Sequence, residues 1–327
     1  MSAISRRIVS LVKSLIVAAL AMTALGVQAQ KTVFVLTPAA GPNSADPVFA
    51  AALAKHGWVH EKNLRLDTRH WAGNVETLER FVAEIVARKP DVIAVWGPQG
   101  AHALKRATAD LPIVFLTSFT DAVEVGLVSN VARPGGNITG VSVFSTDMDA
   151  KRLQLLKEAV PAARRVALLG TREHSVSAER KNKLAARARE LKLEVIEEDV
   201  DSPQGLEAAV TRLKERGAQA LYVWPTGITF SYGADIARFA LAQRLPSVHG
   251  YSETALAGGL FSYAPPLDDV ARRGALYVDR ILRGARPADM PIEQPSQIEF
   301  IVNQRTARTL GIAIPQNVLL RADRVIE

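Results

Sequence analysis

Two tryptophans in this 327-residue chain stand at matching places: Trp96 closes the apolar run Val92–Trp96, and Trp224 closes Ala220–Trp224. Gly97-Pro98-Gln99 follows the first ring, and Thr226 lies two residues past the second. An indole face stacks on flat ligands, and such pairs add about 0.5–1.5 kcal/mol beyond the area they bury. The amide of Gln99, the hydroxyls of Ser118 and Thr120 and the backbone N–H of Gly97 can hold a carboxylate without any catalytic group. Pro38, Tyr251 and Glu253 come just after other apolar runs and join the same candidate ligand-binding set. Together these residues offer the chemistry of recognition, with two rings expected to clamp a flat molecule.

No arrangement of nucleophile, base and orienting group stands beside them. The chain has no cysteine, which removes disulfides, thiolate metal sites, a cysteine nucleophile and a lipidated N-terminal cysteine. Among the six histidines, His56 and His60 are four apart but have Gly57 between them and no third ligand; His70, His102, His174 and His249 are scattered. Gly97-Pro98-Gln99-Gly100 lacks the Gly-Lys-Ser/Thr ending of a phosphate loop. Gly140-Val141-Ser142-Val143-Phe144 lacks the closing glycine of a nucleophile elbow. Arg180, Lys181, Lys183, Arg187 and Arg189 read as one solvated basic helix face. The expectation is a protein that is not an enzyme, with no cofactor and no metal.

The elements that position these residues alternate between apolar runs and amphipathic ones. Strands are expected at Val33–Leu36, Leu64–Thr68, Val92–Trp96 and Ile113–Leu116, and again at Val166–Leu169, Val195–Glu198, Ala220–Trp224 and Ser247–Gly250. The second set repeats the first about 130 residues later. Asp46-Pro47 reads as a helix cap, and Val75, Leu78, Val82 and Ile85 line one helix face. Further helices are expected over Ser177–Leu191, Pro203–Glu215 and Tyr232–Gln243. Strand–helix alternation gives right-handed crossovers, so the fold class is α/β with two similar doubly wound parallel-sheet lobes. The turn formers Arg133–Asn137 would make the joint. In such sheets the ligand sits beyond the carboxyl ends of the strands, where the loops named above fall.

The net charge is +7, but Arg6, Arg7 and Lys13 lie in Met1–Ala29, which has no acidic residue. The apolar run Leu15–Val27 is shorter than the ~20 residues of a membrane-spanning helix. With small residues at Val27 and Ala29 it has the form of a signal peptide, 1–29, cleaved after Ala29. The remaining charge is ordinary, so no nucleic-acid partner is expected, and the protein is expected in the periplasm.

Arg133-Pro134-Gly135-Gly136-Asn137-Ile138-Thr139-Gly140-Val141-Ser142 resembles the signature of a family of ABC transporter substrate-binding proteins with the type I periplasmic-binding fold. The likeness continues through Lys151–Glu158, Tyr277–Gly284, Pro287–Pro295 and Gly311–Asp323. Its characterised relatives look like tryptophan or tyrosine binders. Where the family commonly has Gly-Thr-Pro-Ala after the third strand, this chain has Trp96-Gly97-Pro98-Gln99. The resemblance implies a three-segment hinge near Thr139–Ser142 (Thr139, Gly140, Val141, Ser142), Ser262–Pro266 and Pro291–Gln297, which brings Tyr263 into the candidate site. It implies that the helix around Val270–Leu282 returns to the first lobe, giving an N-terminal lobe of 30–141 plus 267–295 and a C-terminal lobe of 142–266 plus 296–327. The implied function is the solute-binding component of an ABC importer, monomeric, capturing an amino acid or aromatic acid and delivering it to a permease in the inner membrane. The alternative is a periplasmic ligand sensor serving a membrane receptor or kinase.

Overall fold

The computed structural model describes residues 30–118, 121–143, 146–171, 177–200, 202–295 and 297–327. The leader, Thr120, His174 and Ser296 of the third crossover lie outside them.

Five parallel strands build the first lobe: β1 (Lys31–Thr37), β2 (Leu64–His70), β3 (Val92–Trp96), β4 (Ile113–Ser118) and β5 (Ile138–Ser142), in the order β2-β1-β3-β4-β5. The second sheet holds β6 (Arg165–Thr171), β7 (Glu194–Val200), β8 (Ala220–Val223), β9 (Ser247–His249), β10 (Phe261–Ala264), β11 (Glu299–Asn303) and β12 (Arg324–Ile326). Its order is β12-β11-β10-β9-β8-β6-β7. Taken from β7, its first five strands repeat the order of the first sheet, so the repeat in sequence is a repeat in topology. Every residue of β3 is buried, as a central strand covered on both faces must be.

Helices α1 (Ala45–Lys55), α2 (Val75–Arg88) and α3 (Pro98–Ala107) cover the first sheet; α4 (Thr146–Ala159), α5 (Ala178–Glu190), α6 (Leu206–Glu215), α7 (Gly227–Ser231), α8 (Gly233–Ala242) and α9 (Ser252–Leu256) follow in the second half. The long α10 (Leu267–Leu282) then packs on α1 and on β4, placing Val270, Ala271, Tyr277 and Val278 in the core beneath the first sheet with Phe49 and Leu53. Short helices α11 (Gln304–Leu310) and α12 (Gln316–Leu319) close the chain. The amphipathic reading of α2 holds for Leu78, Val82 and Ile85, which are buried, while Val75 in the first turn is exposed; Asn74 caps Thr77 N–H at 2.8 Å, and Glu84 meets Arg88 at 3.0 Å.

Strand β5 is held tightly. Gly140 has φ 149°, and a Cβ there would stand 1.9 Å from the Phe115 carbonyl oxygen, so only glycine fits. Beside it the Glu293 N–H donates to Gly140 O at 3.1 Å, and the Ser142 N–H donates to Glu293 O at 2.9 Å. Thr139 Oγ1 donates to Met290 O at 2.8 Å. Strand β5 and the segment Met290–Glu293, where two of the crossovers were expected, thus run as one hydrogen-bonded pair.

Several expectations are corrected. Arg133–Asn137 is no joint: it feeds β5, the edge of the first sheet, and Asn137 Nδ2 ties it to Leu111 O at 2.8 Å. Asp46 is not the cap of α1, which begins at Ala45; its carboxylate accepts the Asn43 N–H at 2.9 Å while Asn43 Oδ1 accepts Ala45 N–H at 2.8 Å. The helix expected over Tyr232–Gln243 is α8, Gly233–Ala242; the short α7, Gly227–Ser231, precedes it and was not expected. Arg180 is not solvated but 3% exposed, because its guanidinium turns inward to Asp149. His249 is likewise interior, its Nε2 2.8 Å from Ser247 Oγ, and burial pushes its pKa down to about 3.

Candidate functional site: a ring-walled chamber between the lobes

Both sheets point the carboxyl ends of their strands at the interlobe seam, and the seam is closed. Ser231 Oγ, at the end of α7, donates to Pro38 O of the first lobe at 2.5 Å. Gly227 opens α7 so near the facing lobe that a Cβ would stand 3.2 Å from Gln99 Oε1 and 3.5 Å from Pro38 and Trp71. Between these contacts lies a chamber of about 10 Å³, lined by Pro38, Trp96, Gly97 and Thr117 on one side and Gly227, Phe230 and Tyr251 on the other, with Leu267 at its edge. That is scarcely the space of one water molecule.

Local structure explains how these side chains arrive. Trp96 ends β3, and Gly97 turns the chain at φ 83° so that Pro98 starts α3. The turn is held by Thr117 Oγ1, which accepts the Gly97 N–H at 3.1 Å. On the other lobe Thr226 caps α7 in a reciprocal box with Thr229, whose hydroxyl accepts the Thr226 N–H at 2.8 Å. That cap aims Phe230 at Tyr251, with ring centroids 4.9 Å apart. The Tyr251 hydroxyl donates to Thr226 O at 3.2 Å, and burial raises its pKa above the ordinary tyrosine value.

Of the residues singled out from sequence, Pro38, Trp96, Gly97 and Tyr251 meet in the chamber. Trp96 is 4% exposed, and its Nε1 has no hydrogen-bond partner among the described residues. Gln99 sits on the first turn of α3 with a buried, unpartnered Oε1 facing Gly227, at the seam and not in the lining. Ser118 ends β4. Thr226 is 1% exposed and spent on its cap. Glu253 lies in the first turn of α9, its Oε2 buried without a partner, and burial raises its pKa above the usual carboxylate value. Tyr263 contributes its carbonyl to Arg152 Nε at 2.7 Å while its ring leans on Phe300.

Trp224 is elsewhere. It packs in the second lobe's own core, edge-on to Tyr222 at 5.0 Å, with the Arg180 guanidinium 5.1 Å from its ring centre. The structure does not bring the two tryptophans together as a clamp; Phe230 and Tyr251 face Trp96 instead. Thr117, Gly227, Phe230 and Leu267 were not singled out by sequence. The Thr226/Thr229 spacing was the one readable sign, since it marks a helix start that fixes Phe230.

A sequence model of the family described as ABC transporter substrate binding protein matches residues 14–326. The tyrosine-binding protein of Clostridioides difficile (strain R20291) is 25% identical over 265 residues, covering 81% of this chain and 75% of that protein. Among solved structures, the ABC domain in complex with L-Trp from Streptococcus pneumonia superposes with TM-score 0.83 at 24% identity, covering 91% of this chain and all of that one, 100%. A ligand-free, open substrate-binding protein with adhesive properties from Clostridium difficile gives TM-score 0.63 at 23% identity, over 90% of this chain and 99% of that one. The fold is that of type I periplasmic binding proteins, and the lobes in contact here superpose better on the occupied chain than on the open one. With the match running nearly end to end, the chain belongs to the family of ABC transporter substrate-binding proteins.

Proposed function

We propose that this protein is the exported solute receptor of an ABC importer, and that its ligand carries an aromatic ring. The observation that carries this reading is the chamber wall: Trp96 from one lobe opposes Phe230 and Tyr251 from the other, across a seam that opens on a hinge. Ring faces on both lobes make closure the step that completes the ligand's surroundings, so the ligand biases the open–closed equilibrium through contacts with both. The tyrosine-binding relative and the tryptophan-bound neighbour support an aromatic amino acid or aromatic acid as the cargo. In this reading the leader 1–29 directs the chain to the periplasm and is removed after Ala29, and the closed monomer docks on an inner-membrane permease.

A thermal-shift screen of amino acids, aromatic acids, nucleobases and sugars tests it. An aromatic ligand at 100 times its Kd adds about 2.7 kcal/mol to the folded state. The radius of gyration falls on binding. Stabilisation by sugars or nucleobases alone, with none by aromatic acids, overturns the assignment of the cargo.

A further inference from the structure

The first lobe carries a second cavity, which shares no lining residue with the chamber. It lies between α2 and α3 and measures about 550 Å³, inside the ~300–1,000 Å³ that small-molecule sites occupy. Its apolar wall is made by Leu78 on α2, Pro98 and Ala103 on α3, and Val125 from the segment beyond β4. Every one of its lining residues belongs to the first lobe, so the cavity does not need the second lobe to form.

Two polar groups in that wall lack partners. Trp71 is 2% exposed, and its Nε1 is a buried donor with no acceptor among the described residues. The backbone holds the residue in place: its N–H extends the β1–β2 ladder by donating to Thr37 O at 3.0 Å. Its carbonyl accepts the Asn74 N–H at 2.8 Å across Ala72 and Gly73, which turn the chain with φ 50° and 71° so that Val75 can start α2. Gln99, in the first turn of α3, has a buried Oε1 that is likewise without a partner. The two side chains are neighbours, because a Cβ on Gly227 would stand 3.2 Å from Gln99 Oε1 and 3.5 Å from the edge of the Trp71 ring. A donor and an acceptor left unpaired in an apolar wall each carry an uncompensated desolvation cost, which a ligand with the matching groups removes. Glu79 and Arg106, also in the lining, are spent on each other at 3.0 Å, so the cavity offers no free charge to an ionic ligand.

We propose that this cavity is a second ligand site, built for a neutral, flat lactam. The ring carbonyl accepts from Trp71 Nε1–H, the adjacent ring N–H donates to Gln99 Oε1, and the hydrocarbon part lies against Leu78, Ala103 and Val125. An amide closed into a ring sets its acceptor and its donor side by side on one edge, the complement of an indole N–H beside a carboxamide oxygen. A carboxylate or an ammonium would lose its hydration here with no counter-charge to replace it. The site is independent of the cargo bound between the lobes.

Titration calorimetry of the full chain with carbostyril, a benzo-fused lactam, and with its N-methyl derivative tests the proposal. Carbostyril is expected to bind saturably at one site per chain. N-methylcarbostyril keeps the ring and the carbonyl but loses the N–H, and should bind about tenfold more weakly. Gln99→Leu should weaken carbostyril by a similar factor and leave N-methylcarbostyril unchanged. Trp71→Phe, which keeps a ring and removes the N–H, should weaken both; should that variant fold poorly, the probe pair and Gln99→Leu decide alone. Val75→Trp fills the mouth of the cavity from the exposed start of α2 and should abolish binding of both probes without lowering the melting temperature. Phe230→Ala, in the chamber, should leave both as they were. No saturable binding of carbostyril, or binding that is lost in Phe230→Ala and kept in Val75→Trp, overturns the site and leaves the reading of the chamber untouched. Equal affinity for the two probes overturns the lactam assignment.

Discussion

Trp96 and Trp224 occupy equivalent positions in two lobes of the same topology, and they have different work. Trp96 ends β3 and Trp224 directly follows β8, the strands in third place of their lobes' sequence repeat, and each ring is nearly sealed from solvent, at 4% and 1% exposure. Trp96 forms part of the interlobe chamber with its Nε1 unpartnered; Trp224 lies under Arg180 and against Tyr222. The difference is made by the next layer. After Trp96 the chain turns at Gly97 straight into α3, so the ring stays at the seam. Around Trp224 the buried pair Asp149–Arg180 draws a helix over the ring. The lesson is that a duplicated sheet fixes where a side chain starts, and the charges packed above it decide whether it meets the ligand.

The largest effects should come from breaking the second lobe's side of that comparison. Trp224→Ala is expected to cost about 3–5 kcal/mol of unfolding free energy, as truncating a buried aromatic does. Asp149→Ala, which leaves two guanidinium groups without their carboxylate, belongs in the same range of about 3–5 kcal/mol. Trp96→Ala should instead show its main loss in ligand affinity. Urea unfolding beside calorimetry separates the two, and the contrast fails if Trp96→Ala destabilises as much as Trp224→Ala while binding is retained.

Closure comes next. Gly227→Leu places a side chain where even a Cβ meets Gln99 Oε1 at 3.2 Å, so the lobes cannot meet. The variant should keep its melting temperature, bind at least about tenfold more weakly, and show no ligand-induced fall in radius of gyration by small-angle scattering. An ordinary compaction in that variant would mean that the seam is not the closing contact.

A third test uses pH. Burial raises the Glu253 carboxyl above its ordinary value, so the group favours folding at pH below the unfolded carboxylate value, and that contribution is lost as pH rises through the folded value. Glu253→Gln is therefore expected to unfold at higher urea than the wild type at pH 7, with the gain vanishing near pH 4. His249 acts in the opposite sense: its lowered pKa, about 3, contributes stability above the unfolded histidine value that is lost as pH falls from ~6.5 toward 3. A Glu253→Gln gain that is the same at both pH values would remove the buried charge as its cause.

The smallest effect belongs to the latch. Ser231→Ala removes one interlobe hydrogen bond and should weaken ligand binding by about 0.5–1.5 kcal/mol with the open form's stability unaltered.

Much of this architecture was legible because period and repeat are local signals. The alternation around β3, the face of α2 and the second set of strands could be read from apolar spacing alone. What escaped was set by partners distant in sequence. Arg180 belongs to a run with Lys181, Lys183, Arg187 and Arg189, and nothing nearby marks it as the one that turns inward; its carboxylate is 31 residues away on another helix. Trp224 could not be separated from Trp96 for the same reason. Phe230 lies in α7, a five-residue helix before the expected one, too short to show a period, so its aim at the seam depended on the Thr226 cap. Gln99 read as a loop residue although Pro98 stands where helices begin.

The path of α10 also bears on how the chain becomes a folded protein. The core beneath the first sheet draws on Phe49 and Leu53 from early in the chain and on Val270, Ala271, Tyr277, Val278 and Met290 from late in it. A chain that emerges N-terminus first cannot seal that core until α10 has also emerged. The second sheet waits longer still, because β11 and β12 come last. Long-range closure of this kind makes folding slow, and the earlier segments cannot complete their packing while the rest is made. In the proposed export route, that delay keeps the chain in a state that a narrow membrane channel can pass.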